Sequence, residues 1–273
     1  MKYNSLINKI FSAFLMGIAM LFSTACREEI DLDLNSGNPK IIIEGAVTDQ
    51  RVPYEIKITK SINFNAKNEY PAVMGAFVTI GDNANNLDTL KEVQAGIYRT
   101  TKLRGVATRR YTLTVKVEGQ IYTASSVLQR AVGLDSVTIA KDAFSSTFDS
   151  TGTPVYNILP IFQDPRDEPN FYFFNVFTKT DKEKSFFNLL NDVNFDGQDN
   201  AENIFFSTKS PSRDTVTVEM WCIDRDVHTY FKTLNQLEIS QSGTPTNPIS
   251  NIQGGALGYF SAHSIRSKKV LIP

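Results

Sequence analysis

Residues Arg109–Gln129 read RRYTLTVKVEGQIYTASSVLQ. Tyr111, Leu113, Val115 and Val117 take alternate positions, with Thr112, Thr114 and Lys116 between them. A period of two puts the apolar set on one face of a strand and the polar set on the other. A second run of the same kind begins around Gly119-Gln120, where a glycine can adopt the backbone of a tight turn. The stretch is expected to be a β-hairpin with one buried face. Its neighbours KIIIEGAVTD, YEIKITKS, AFVTIGD, NLDTLKEV and GIYRTT read as strands too. Short strands at this spacing predict an immunoglobulin-like β-sandwich over residues 38–130, without the Cys…Trp…Cys spacing of antibody domains.

The second half keeps the pattern. DSVTIAK, VYNILPIFQD, NFYFFNVFTK, KSFFNLLND, NIFFSTK and DTVTVEMWCI are strand candidates, and the tail GALGYFSAHSIRSKKVLIP returns to strand character. One segment departs from it. Val227, Tyr230, Phe231, Leu234 and Leu237 recur at helical spacing behind Asp224, a suitable N-cap, and Gly243, Pro245 and Pro248 supply a stop. The expectation is a mainly β chain: the sandwich, then a second β-rich domain over residues 131–273 carrying one amphipathic helix near 224–240. In NFYFFNVFTK, Phe171 and Phe173 share one face while Tyr172 and Phe174 share the other, so that strand is expected to be buried on both sides.

The N-terminus has a different character. Lys2 and Lys9 precede a nearly continuous apolar stretch, Ile10–Phe22, which is followed by Ser23, Thr24, Ala25 and Cys26. Charge, apolar core and small residues before a cut make a secretory signal. As a helix the apolar core would span roughly 20 Å at about 1.5 Å per residue, short of a hydrocarbon layer about 30 Å thick. Small residues directly before a cysteine resemble the bacterial lipobox, in which the thiol takes diacylglycerol; Ser23 stands where a leucine is usual. Residues 1–25 are then a lipoprotein signal peptide, Cys26 the lipid attachment site and residues 26–37 a leash. Ordinary cleavage near Ala25 is the competing reading. Arg27-Glu28-Glu29 resembles the signal that sends Bacteroidota lipoproteins to the cell surface, and a solvated leash would look similar.

Composition narrows the partners. The 273 residues carry a formal charge of −1, and loss of residues 1–25 removes Lys2 and Lys9 and no acid, giving −3. There is no basic patch for nucleic acid. Of the two cysteines, Cys26 is the expected lipid site, and with lipid on Cys26 Cys222 has no disulfide partner. Cys222 alternates with polar residues beside Val216, Val218 and Met220, and is expected to be an inert core thiol.

Several segments in series resemble one family: KIIIEGAVTD behind a lipid-type cysteine, DPRDEPNFYFF, LLNDVNFDGQ, DRDVHTYFKTLNQL and NPISNIQGGALGYFSAHS. They are similar to the Bacteroidota lipoproteins catalogued as domain of unknown function 4249. The family has no established biochemical activity, so the resemblance brings no catalytic residues. Its members are often encoded beside TonB-dependent outer-membrane receptors, which implies accessory work at a transporter.

Local motifs offer a few chemical options. Asp192, Asn194, Asp196 and Gly197 match the first half of a calcium loop, D-x-[DN]-x-[DN]-G, but Asn203 stands where its closing glutamate belongs. Asp and Asn before Gly also build a plain turn. The expectation is the plain turn and no cofactor, with calcium the alternative this loop offers. His228 and His263 are the only histidines, too few for a typical zinc site. Ser261 and His263 share a strand face but lack an acid and an oxyanion hole. Gly254, Gly255 and Gly258 precede a β segment rather than a helix, so close backbone approach explains them better than a phosphate loop. Trp221 points opposite to Cys222; exposed, it would be a binding hot spot, and otherwise it is half-covered by the helix that follows. The expected function is a surface-exposed outer-membrane lipoprotein, anchored by lipid, that binds rather than catalyses and partners a TonB-dependent transporter. The alternative is a secreted hydrolase acting on a polymer at the cell surface.

Overall fold

A computed structural model describes residues 38–62, 69–142, 154–178, 188–198, 206–210, 213–239 and 247–273. The signal peptide, the leash with Cys26, Arg27, Glu28 and Glu29, and also Asn203, Gly243 and Pro245, lie outside them. In chain order the strands are β1 (Ile41–Thr48), β2 (Glu55–Lys60), β3 (Phe77–Asp82), β4 (Leu87–Thr89), β5 (Lys91–Gln94), β6 (Ile97–Arg99), β7 (Arg110–Val117), β8 (Gln120–Val127), β9 (Ser136–Lys141), β10 (Val155–Ile161), β11 (Phe171–Phe177), β12 (Asn188–Asn191), β13 (Phe206–Lys209), β14 (Thr215–Ile223), β15 (Ile252–Gln253) and β16 (Leu257–Leu271). Helix α1 spans Arg225–Ile239. The chain is mainly β, as its periodicity predicts, and no helix among the described residues is long and apolar enough to cross a membrane.

The hairpin forms with β7 and β8 in full register, from Val117↔Gln120 to Arg110↔Val127. Its turn sits one residue earlier than expected, on Glu118 and Gly119, both at positive φ (51° and 76°). Two consecutive left-handed residues match the right-handed twist of the strands. Tyr111, Leu113, Val115 and Val117 are all buried. The Tyr111 hydroxyl donates to Arg104 O at 3.0 Å and accepts from Val106 N at 2.8 Å. A tyrosine tying the start of its strand to upstream backbone is an immunoglobulin-type corner.

A five-stranded sheet, β15-β8-β7-β3-β4, faces part of an eight-stranded one, β12-β11-β14-β16-β1-β2-β6-β5. A third sheet has the order β13-β10-β9. NLDTLKEV, read as one strand, breaks at Leu90: β4 belongs to the five-stranded sheet and β5 to the eight-stranded one. A corner of this kind is how a sandwich passes the chain between its layers.

The expected boundary at residues 130/131 does not divide the sheet. The first seven residues of β16 run parallel to β1, from Ile42↔Leu257 to Thr48↔His263. The rest runs antiparallel to β14, from Cys222↔Ser264 to Thr215↔Leu271. One strand therefore welds the two halves, and Pro39–Pro273 form one compact unit. The burial pattern agrees. Ile252, Ala256, Phe260 and Ala262 join the core built from residues 41–128. A second core gathers Tyr156, Phe162, Tyr172, Phe174, Met220 and Cys222. Pairing across more than two hundred residues leaves no trace in local periodicity, which is why the two halves read as separate domains.

The glycines of the tail are close-approach positions as expected, though not uniformly. A Cβ on Gly258 (φ 94°) would stand 2.1 Å from Ile43 O, and one on Gly254 (φ 97°) 2.7 Å from Ile121 O. Gly255 has open space and serves only its left-handed φ of 87°.

Candidate functional site

Asp224 sets the position of α1. Its Oδ1 accepts from Val227 N at 3.0 Å, the N-cap bond. Its Oδ2 accepts from Ser126 Oγ at 2.6 Å and Val127 N at 2.9 Å, which ties the helix start to β8. Ser126 Oγ in turn accepts from Ala262 N at 2.7 Å on β16. Beneath the helix, Val227, Tyr230 and Phe231 pack on Phe173 and Ile223, with Trp221 and Tyr259 at the margin. Tyr259 lies 5.0 Å from Tyr230 and 4.8 Å from Phe231 between ring centroids.

The other side of α1 borders a groove of about 540 Å³ against the start of β11 and the end of β12. Arg225, His228 and Lys232 stand three and seven residues apart along the helix, so all three face it. The Arg225 guanidinium lies over the Phe171 ring at 5.4 Å, and the His228 ring is 5.0 Å from the same ring. Burial, followed by the neighbouring Lys232 charge, lowers the His228 pKa to about 4, so the imidazole is neutral at pH 7. Arg225 and Lys232 are exposed and pair with no carboxylate among the described residues. Asp192 lines the far side of the groove.

Asp192 also belongs to an acidic cluster. Carboxylate oxygens of Asp164, Asp192 and Asp196 lie within 4.8 Å of one another. The sequence reading named Asp192, Asn194 and Asp196; it missed Asp164, which arrives from the loop before β11. All three acids are used by the turn. Asp192 Oδ2 accepts from Asn170 N at 2.7 Å, Asp196 Oδ1 from Asp167 N at 2.9 Å and Asp164 Oδ2 from Gly197 N at 3.1 Å. The Tyr172 hydroxyl donates a short hydrogen bond to Asp164 Oδ1. Burial raises the Asp164 pKa, helped by the charges of Asp192 and Asp196 and opposed by its hydrogen bonds. An all-oxygen set at this spacing suits a hard cation such as calcium, and the hydrogen bonds formed are those of the plain turn. Asn194 is solvent-exposed in the same loop.

The other candidate residues are interior. Ser261 Oγ and His263 Nδ1 are 2.8 Å apart, and both residues are buried. The Trp221 ring stacks on His263 at 4.4 Å and on Phe173 at 4.8 Å. Trp221 is thus half-buried in an aromatic stack rather than standing free as a contact residue, and it roofs the Ser-His pair against substrate. Burial lowers the His263 pKa to about 3. Cys222 is buried with its thiol accepting from Val132 N at 3.4 Å, and burial pushes its pKa up, as for an inert core thiol.

No curated protein matches the chain. Residues 27–269 match a family described as "Domain of unknown function (DUF4249)". That match begins directly after Cys26 and ends within β16, so it takes in the groove, the acidic turn and the strand that joins both halves. The chain belongs to this family of unknown function, DUF4249.

Proposed function

We propose that the protein is a lipid-tethered outer-membrane protein, displayed on the cell surface, that binds a ligand or partner in support of a TonB-dependent transporter. The observation that carries this reading is the junction Ser23-Thr24-Ala25-Cys26, placed just ahead of residues 26–37 and the compact unit that starts at Pro39. Acylation of Cys26 would anchor the chain, each buried CH₂ contributing about 0.8 kcal/mol. Residues 26–37 would span at most roughly 43 Å at 3.3–3.6 Å each, enough to hold the unit close to a receptor in the same membrane. Binding is supported by the open, cation-lined groove beside α1.

Affinity purification from detergent-solubilised outer membrane tests the partnership. A TonB-dependent receptor should co-purify in stoichiometric amount. Recovery of the protein without such a receptor, after mild cross-linking of intact cells, would contradict the accessory role.

A further inference from the structure

The groove beside α1 has a definite chemical character. Arg225 and Lys232 present two cations that no described carboxylate neutralises. Between them His228 is 7% exposed and keeps its ring edge open to the groove, where a ligand can reach it. On the opposite wall Asp192 adds acceptor oxygens. Thr229 and Gln236 add a hydroxyl and an amide from the helix.

These groups together select a ligand class. Two unpaired cations call for a negative charge, and an arginine fork suits a carboxylate. A bare inorganic anion would leave most of the groove unused. Arg225 to Gln236 covers roughly 16 Å of helix at 1.5 Å per residue, and 540 Å³ lies in the size range of small-molecule sites. Asp192 would repel a second negative charge at the far wall but accept hydrogen bonds from hydroxyl groups there. The ligand is therefore charged at one end and rich in hydroxyls at the other.

We propose that this groove binds an acidic saccharide of one or two rings, its carboxylate held by Arg225 and Lys232 with His228 donating or accepting one hydrogen bond, and its hydroxyls meeting Asp192, Thr229 and Gln236. This deepens the binding role proposed above by naming a ligand class, and it does not depend on the lipid anchor or on a receptor.

Isothermal titration of the full chain in detergent tests it, with digalacturonic acid, the neutral disaccharide cellobiose and sodium phosphate as probes. Digalacturonic acid should bind, and cellobiose should bind at least about tenfold more weakly, a gap of about 1.4 kcal/mol. Arg225→Gln combined with Lys232→Gln should weaken the acidic sugar by at least about tenfold, the same gap. Both residues are exposed and the double variant loses only the Arg225–Phe171 ring contact, so the thermal midpoint should fall by no more than about 4 °C. The proposal is overturned if no heat is seen with digalacturonic acid at millimolar concentration, or if the double variant binds it normally. Equal affinity for cellobiose would overturn the acidic class, and equal affinity for phosphate would reduce the groove to a general anion site. A failure here leaves membrane anchoring and receptor co-purification untouched, so the two readings fall separately.

Discussion

Asp224 serves three donors at once: the helix N-terminus at Val227 and, on β8, Ser126 and Val127. Asp224→Ala should cost about 1–3 kcal/mol, the loss of a cap plus charge-assisted hydrogen bonds. In a unit of this size that lowers the melting midpoint by about 2–4 °C per kcal/mol, and Trp221, the only tryptophan, reports it by fluorescence. An unchanged midpoint would mean that helix and sheet are held by apolar packing alone. The two histidines predict a pH dependence. Folded, their pKa values fall to about 4 (His228) and about 3 (His263), against 6.5 in the unfolded chain. Below pH 6.5 the unfolded state takes up protons that the folded state refuses, so their contribution is complete above that pH and is lost progressively down to pH 3–4. Asp164, with a raised pKa, pulls the other way. Two histidines against one carboxyl should leave the urea midpoint lower at pH 5 than at pH 7, and His228→Gln should flatten the slope. A midpoint that rises from pH 7 to pH 5 would show that Asp164 dominates. The cap was legible in the sequence because its bond is local, to a residue three positions on. Asp164 was not, because it meets Asp192 and Asp196 only after β11 and β12 have paired.

Strand β16 carries the largest structural responsibility of any element. It contributes Phe260 and Ala262 to the first core and supplies the antiparallel partner of β14 for the second. Its strand character was readable from alternation, and so was the two-sided burial of β11, whose Phe173 and Tyr172 enter different cores. What alternation could not convey was the choice of partner, because β1 and β16 meet from opposite ends of the chain. Deletion of residues 254–273 is therefore expected to unfold the unit as a whole. It removes several large apolar groups worth about 1.5–3 kcal/mol each from a total that is typically about 5–15 kcal/mol. Limited proteolysis of the truncated protein should leave no protected fragment. A resistant piece covering residues 38–130 would restore the sandwich as an independent domain.

At the scale of the whole molecule, one β unit is built so that its first and last strands lie side by side in the middle of the large sheet. Most of its interior polar groups serve that architecture: Asp88 accepts from Thr101, Lys102 and Leu103, and Asp49 binds Ile265 N and Arg266 on β16. The groove beside α1 holds two cations, Arg225 and Lys232, that pair with no carboxylate among the described residues. Its helical residues were visible in DRDVHTYFKTLNQL, but the groove was not, since its other wall, with Phe171 and Asp192, comes from β11 and the end of β12, far away in sequence. Tethering is what would bring such a unit to a membrane receptor, and Cys26 is its proposed means. Metabolic labelling of cells with a radioactive fatty acid tests that claim most directly. The wild-type protein should carry label and Cys26→Ala should carry none, whereas label retained in Cys26→Ala would contradict the account.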